Sequence, residues 1–388
     1  MHRIFLFLIL FCAGAAHAEP VAQGAPNAPE YSPAFPGQTR APEVLSGVTP
    51  VQRVFASGLE NPWGIAALPG GGYLVTERPG RLRYVSAQGV VSAPIAGVPK
   101  VLAQQQGGLL DVSVSPEFGQ NRVLFLSYAK PLDDGRSVTA VARAVLSPDR
   151  STLTDLRDIF LQDPPSGSPM HYGSRVVIDR RGDLFITTGE HFSRSERVLA
   201  QDIATTFGKV VHLSPDGLPV GRGGLPLGIW SLGHRNVQGA AIQPGTGDLW
   251  TVEHGPAGGD ELNRPEAGKN YGWPVVSYGK NYNGSPVGEG RTQADGMTQP
   301  IYYWDPVIAP GGMIFYTGEM FPEWWGSLLI GSLNPGGLVR LSLLGDRVTG
   351  EERFFVGDAR IRDVEQAPDG ALLLLVDAPD GAIWRISR

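Results

Sequence analysis

The sequence predicts an all-β chain folded as a six-bladed β-propeller, and three observations predict it. Glycine (52) and proline (33) are abundant while charged residues make up only 18%. That mix suits short strands joined by tight turns and argues against long helices. One pattern recurs six times: a small or apolar strand, a turn rich in Pro, Asp and Gly, then a second apolar strand. The chain has 388 residues, long for one average domain, but closed β architectures extend further as single domains.

The N-terminus opens with His2 and Arg3, continues as an apolar run from Ile4 to Ala16, and ends in the small-residue sequence Ala16-His17-Ala18. This is the pattern of an export signal covering residues 1–18, cut after Ala18. The apolar run is too short to span a bilayer, and Phe11 before Cys12 argues against lipid attachment. Cys12 is the only cysteine, so the mature chain has no disulfide, thiolate metal site or cysteine nucleophile. Residues 19–47 hold six prolines and little apolar content, which predicts a flexible leader. The propeller is expected over residues 48–388.

Six hairpins follow, each recognised by turn chemistry and strand composition: Trp63–Glu77, Gly108–Tyr128, Gly173–Glu190, Gly239–Gly255, Gly311–Leu333 and Arg362–Ala378. Further strands lie downstream at Gly80–Ser86, Gly208–Ser214, Gly336–Leu343 and Gly381–Ser387. Three or four strands per unit and six units describe a propeller. A pair of β-sandwiches would leave the six similar hairpins unexplained. The ring must close, and Val51–Ser57 is the strand expected to pair into the last blade.

Glu253–Pro274 reads as a loop of more than 20 residues, and loops of that length are functional or disordered. Trp273, Tyr271 and Leu262 argue for order. Asp260 and Glu261 are adjacent carboxylates, and Gly255-Pro256 with Gly258-Gly259 allows a tight turn that frees carbonyl oxygens. Calcium takes oxygens of both kinds, although a lone Asp-Glu pair is more often a solvated turn.

The formal charge of −6, without basic runs, argues against nucleic acid or an anionic membrane as partner. Function is sought at the channel mouth, where four hairpins begin with polar residues. His171 opens the third and suits a general base near neutral pH; a lone histidine is more often structural. His234-Arg235-Asn236 opens the fourth, and an arginine there either forks to a carboxylate or quinone oxygen or makes a salt bridge. Gln106 opens the second. Arg360 and Arg362 open the sixth and alternate on one strand face. Together they describe a cationic, hydrogen-bonding pocket suited to a planar polyanion, with a calcium loop beside it.

With these residues the chain resembles the soluble quinoprotein sugar dehydrogenases, in the periplasmic aldose sugar dehydrogenase branch. The matching segments are ENPWGIAALPGG, QGGLLDVSVSPEF, HYGSRVVID, GHRNVQGAA, EHGPAGGDELNRPEAGKNYGWP and RIRDVEQAPDG, spread from about Glu60 to Arg388. The resemblance implies pyrroloquinoline quinone (PQQ) and calcium as cofactors. It implies His171 as catalytic base, Arg235 as catalytic stabiliser of quinone charge, and PQQ contacts from Gln106, Arg235, Asn236, Arg360 and Arg362. Cofactor calcium would lie on the carbonyls of Gly255 and Pro256, with Asp260 behind it. A second, structural calcium would involve Glu261 and Tyr271.

The reaction so implied is transfer of hydride from the anomeric C1 of an aldose to PQQ, giving an aldonolactone. Electrons then pass to an external acceptor, and the protein is a monomer or homodimer. Three positions depart from the family pattern: Asn334 where a lysine is common, Met170 in place of a sugar-touching carboxylate, and His191 in place of a glutamine. Trp273, Trp324 and Trp325 are candidates to stack on a sugar ring and equally candidates for blade packing. The rival readings are a calcium-dependent propeller lactonase or hydrolase, and a non-catalytic propeller binding module.

Overall fold

A computed structural model describes residues 18–221 and 224–388; the expected export signal lies outside the described residues except for Ala18. Among the described residues the strands form six antiparallel sheets. Blade 1 has three strands (Pro62–Ala67, Tyr73–Glu77, Arg81–Val85), and blade 2 has four (Leu109–Val114, Val123–Pro131, Ser137–Leu146, Leu153–Leu161). Blade 3 comprises Gly173–Ile178, Leu184–Thr188, Lys209–Leu213 and Ile229–Leu232, and blade 4 comprises Val237–Ile242, Leu249–Glu253, Asp260–Asn263 and Tyr302–Trp304. Blade 5 runs through Pro310–Phe315, Leu328–Ser332, Gly337–Leu344 and Arg347–Phe354. Blade 6 holds Ile361–Gln366, Leu372–Val376 and Gly381–Ser387, and its fourth strand is Val51–Leu59 from the other end of the propeller. That pairing, Val51 opposite Ser387, closes the ring as the sequence predicts.

The second strand of each blade is flanked by neighbours on both faces and is buried almost throughout, and it is wholly apolar in Leu372–Val376 (LLLLV). Burial on both sides removes the alternation that a half-solvated strand would show. Six apolar cores result, one between each pair of adjacent blades. Leu74, Leu82, Leu124 and Leu126 join blades 1 and 2, for example, and Leu375, Ile383, Ile65 and Val75 join blades 6 and 1. The first strands of the blades pack successively on one another in a closed ring. Inside that ring Arg175 of blade 3 reaches Asp111 of blade 2 (2.8 Å) and Asp363 of blade 6 (3.0 Å). A buried guanidinium thus ties three blades across the channel.

Two expectations need correction. The proline-rich leader lies along the outer edges of blades 4 and 5 instead of extending freely. The backbone amides of Asn27 and Ala28 donate to the Asp305 carboxylate (2.7 and 2.8 Å), Gln38 is buried and donates to the Pro300 carbonyl, and Ser46 caps Glu352. Proline lowers the entropy lost on ordering, so few contacts suffice to hold it. The second correction concerns Glu253–Pro274, which is not one loop. Asp260–Asn263 is the third strand of blade 4, with Glu261 opposite Glu253 and Tyr303. The apolar signal of a four-residue strand with only Leu262 inside it is too short to read.

Candidate active site

His171 sits just before blade 3 with its backbone in the left-handed region (φ 48°), a conformation that costs a side-chain-bearing residue about 1–2 kcal/mol. Neighbours hold it there. Its N–H donates to Gln106 Oε1 (2.8 Å), and it backs onto Gly189, where a Cβ would come within 1.8 Å of the His171 carbonyl oxygen. The imidazole is buried, and its Nδ1 lies 2.8 Å from Glu190 Oε1. Burial, then the charge of Arg235, lowers the His171 pKa well below its ordinary value. Burial raises Glu190 to about 7 against the pull of Arg235. With Glu190 ionised, Nδ1–H donates to it and Nε2 is left as an unprotonated base.

The predicted residues converge. Gln106, His171, Arg235, Asn236, Arg360 and Arg362 all line one cavity of about 240 Å³, together with Trp63, Gln238 and His254. Asn236 is fixed by accepting from the Gly173 amide (3.0 Å). The Trp63 ring forms one wall, with the Arg175 and Arg362 guanidinium carbons 4.7 and 6.0 Å from its centre. The two arginines of blade 6 differ. Arg362 lies within the inner strand and is buried, whereas Arg360 precedes that strand and is exposed. Both reach Asp377, at 2.7 and 3.5 Å. Burial opposes the charge on Asp377, yet Arg362, Arg78 and Arg360 hold its carboxyl down at about 2. The expected anion-seeking pair therefore has a protein carboxylate of its own and keeps a net positive charge beside the cavity.

Arg235 Nη1 donates to the carbonyls of His254 (2.8 Å) and Gly255 (2.6 Å). The Gly255 oxygen is thus engaged rather than free as expected, while the Pro256 carbonyl accepts no hydrogen bond among the described residues. The turn itself is as tight as the glycines predict: a Cβ on Gly255 would lie 2.2 Å from the Gly259 oxygen. Asp260 holds it, accepting from the amides of Gly255 (2.7 Å), Ile308 (2.8 Å) and Ala309 (2.7 Å). Its pKa rises to about 7 because burial outweighs those three donors.

Glu261 and Tyr271 belong to a second cluster behind Arg235. Glu253 accepts from the Arg235 amide (2.6 Å), pairs with His234 Nδ1 (2.8 Å) and accepts from Asn263 (3.0 Å). Asn263 also donates to Glu261 (3.2 Å), and Tyr271 stacks on His234 at 4.9 Å. Burial and the Glu253 charge raise the Glu261 pKa well above its ordinary value. Asn263 Oδ1 and Thr251 Oγ1 are buried without a partner. Two carboxylates and two orphaned oxygens suit a hard cation. The Tyr271 hydroxyl is committed to the Arg264 carbonyl (2.5 Å), so only its backbone remains available.

Three positions flagged as departures lie off the cavity wall. Asn334 is exposed, although its neighbour Leu333 lines the cavity. His191 is buried between Gln162 Oε1 (2.6 Å) and the Ser168 carbonyl (3.2 Å), its pKa lowered to about 4 by burial. Met170 is half-buried. Of the tryptophans, Trp324 is in the blade 5–6 core and Trp325 is exposed; Trp273 lines an adjoining cavity of about 300 Å³ that shares Arg235 and Tyr282 with the first.

Trp63, Gln238 and His254 of the cavity wall were missed in the sequence, and so was Glu190, for which a signal existed. His171–Glu190 and His234–Glu253 are each 19 residues apart, and each pair is joined at 2.8 Å. The same His–Glu brace is thus built in two consecutive blades. Asp179, Asp183 and His212, none of them a predicted metal residue, place ligand-type atoms within 4.8 Å of one another.

With this geometry in view, a family model described as glucose/sorbosone dehydrogenase matches residues 59–385. The chain belongs to that family. It is an oxidoreductase of the sugar dehydrogenase type. The aldose sugar dehydrogenase YliI of Escherichia coli is 43% identical over 86% of this chain and 92% of its own length. The crystal structure of the soluble aldose sugar dehydrogenase from Escherichia coli in the apo-form is 41% identical, with a TM-score of 0.83 over 87% of this chain and 99% of that one. The PQQ-bound form of the aldose sugar dehydrogenase from Streptomyces coelicolor is 25% identical, with a TM-score of 0.72 over 87% of this chain and 99% of that one.

Proposed function

We propose that this protein is a periplasmic, PQQ- and calcium-dependent aldose dehydrogenase that oxidises the anomeric C1–OH to an aldonolactone. The observation that carries it is the shared cavity of His171, Arg235, Asn236 and Arg362. Its donor set fits a planar polyanion. Arg235 Nε and Arg362 Nε are buried without partners, and an indole face forms one side. Gln106 and Asn236 hold the backbone with one amide atom each and keep the other for a ligand. PQQ supplies a two-electron quinone acceptor when bound, and calcium supplies Lewis acidity beside it.

The chain's own residues then do the following. His171 Nε2 takes the proton from the C1 hydroxyl, and Glu190 stabilises the imidazolium that forms. Arg235 offers fixed positive charge where negative charge develops. Gly255 and Pro256 are the carbonyls that would hold cofactor calcium, in competition with Arg235 for the Gly255 oxygen. Glu253, Glu261 and the backbone at Tyr271 would hold the structural ion. No helix among the described residues is long and apolar enough to cross a membrane, and the export-type N-terminus supports the periplasmic assignment. Electrons leave to an external acceptor.

The test is reconstitution. Apo-protein with PQQ and calcium should bleach a dye acceptor when an aldose is added, and should form lactone. Hydrolysis of a lactone without PQQ, and no bleaching with any aldose, would support the hydrolase reading instead.

A further inference from the structure

The adjoining cavity of about 300 Å³ is chemically unlike a site for a neutral sugar. Three guanidinium-bearing residues line it, Arg194, Arg197 and Arg235, against a single carboxylate, Glu190. Glu190 holds His171 through Oε1, its buried Oε2 having no partner, and Arg235 donates to two backbone carbonyls. Arg194 and Arg197 have no ion pair among the described residues. Arg197 is held in place by Asn281 Oδ1 (2.9 Å) and lies over the Trp273 ring at 5.8 Å, with Arg235 over the same ring at 5.1 Å. Burial, opposed by Glu190, and then the charges of Arg194 and Arg235 push the Arg197 pKa down. Like charges gathered around one cavity repel, and a bound anion relieves them.

The cavity also abuts the reacting base. It shares Arg235 and Tyr282 with the cofactor cavity, and its wall residue Glu190 touches His171. Trp273 and Phe192 give it aromatic surface for a pyranose ring, and the guanidinium forks suit a carboxylate or phosphate.

We propose that this cavity is a subsite for aldoses that carry an anionic group, with Arg194 and Arg197 as its specificity-determining residues. The proposal rests on the sugar-oxidising reading above. Its substrate class is uronic acids or sugar phosphates, oxidised at C1 as a neutral aldose would be.

The test compares kcat/KM of the reconstituted enzyme for glucuronate, glucose 6-phosphate and glucose. The anionic sugars should be preferred about tenfold, the worth of one good charge-assisted pair, and the preference should shrink with salt. In Arg194→Gln and Arg197→Gln the ratio should fall towards one. Preference for glucuronate assigns a carboxylate ligand; preference for glucose 6-phosphate assigns phosphate. Glucose preferred, or a ratio unchanged in both variants, overturns the proposal. So does a loss of PQQ affinity in the variants with the ratio unchanged, because the arginines would then serve the cofactor. If no aldose is oxidised, the reading of function fails by itself. Calorimetric titration of glucuronate against parent and variants then still decides the subsite: it stands if the parent binds and the variants bind more weakly, and falls if they bind alike or the parent does not bind.

Discussion

Replacing Glu190 by glutamine keeps the side chain's size and removes its charge. In the parent, Glu190 Oε1 lies 2.8 Å from His171 Nδ1 in a buried setting. A hydrogen bond to a charged group contributes about 1.5–3 kcal/mol, so its loss alone lowers the rate by roughly 10- to 100-fold. The amide adds a second effect. Its NH₂ can donate to Nδ1, which puts the imidazole proton on Nε2 and removes the base. We therefore expect kcat/KM in Glu190→Gln to fall by about 100-fold or more. The brace also sets a pH dependence. Burial raises Glu190 to about 7, and only its ionised form keeps the proton on Nδ1. Parent activity should rise as pH increases through about 7 and then level off, and the variant should lose that rise. The assay is dye reduction by the reconstituted enzyme across the neutral range. A variant with the parent's rate and pH profile would refute the brace.

Other substitutions test other links. His171→Ala should abolish turnover while PQQ still quenches tryptophan fluorescence on binding; parent-like turnover would make His171 merely structural. Arg175→Leu leaves Asp111 and Asp363 without their shared cation, which should cost about 3–5 kcal/mol in urea unfolding. Burial raises the Asp111 pKa, against the pull of Arg175, so that cost should shrink as pH falls and Asp111 takes up a proton; a cost independent of pH would contradict the account. Deleting residues 19–41 removes the bonds to Asp305 and the buried Gln38 and should lower Tm, whereas an unchanged Tm would restore the flexible leader. Calcium should raise Tm by mass action, and Glu261→Gln should weaken that response; an equal response in both proteins would locate the ion elsewhere.

The blades were legible because their evidence is local. Each hairpin carries its own turn residues and its own buried second strand, and the closing strand, Val51–Leu59, has no partner nearby in sequence. Four site positions were legible for a related reason: propeller geometry turns position at a hairpin entrance into position around a channel. What was not legible depends on contacts between distant segments. Asp260 reads as a carboxylate behind the calcium turn, and nothing in its neighbourhood shows that it will also hold the Ile308 and Ala309 amides. Arg360 and Arg362 read as seeking an anion because their partner Asp377 lies beyond the next strand, Leu372–Val376. The leader reads as free because its partners, such as Asp305 and Glu352, lie hundreds of residues away. His191 reads only as a departure from the family's glutamine, because its burial against Gln162 is a matter of blade packing. Glu190 is the instructive case, since the His–Glu spacing repeated in blades 3 and 4 was present in the sequence and needed only to be compared across repeats.

The account as a whole is tested most directly by a single-turnover experiment on the reductive half-reaction. Protein loaded with PQQ and calcium is mixed rapidly with glucose or with glucose deuterated at C1, and the quinone absorbance is followed. Loss of that absorbance, slower for the deuterated sugar and absent in His171→Ala, is the predicted result. Absorbance that persists with every aldose, although the cofactor is bound in the His171, Arg235 and Arg362 cavity, would contradict it.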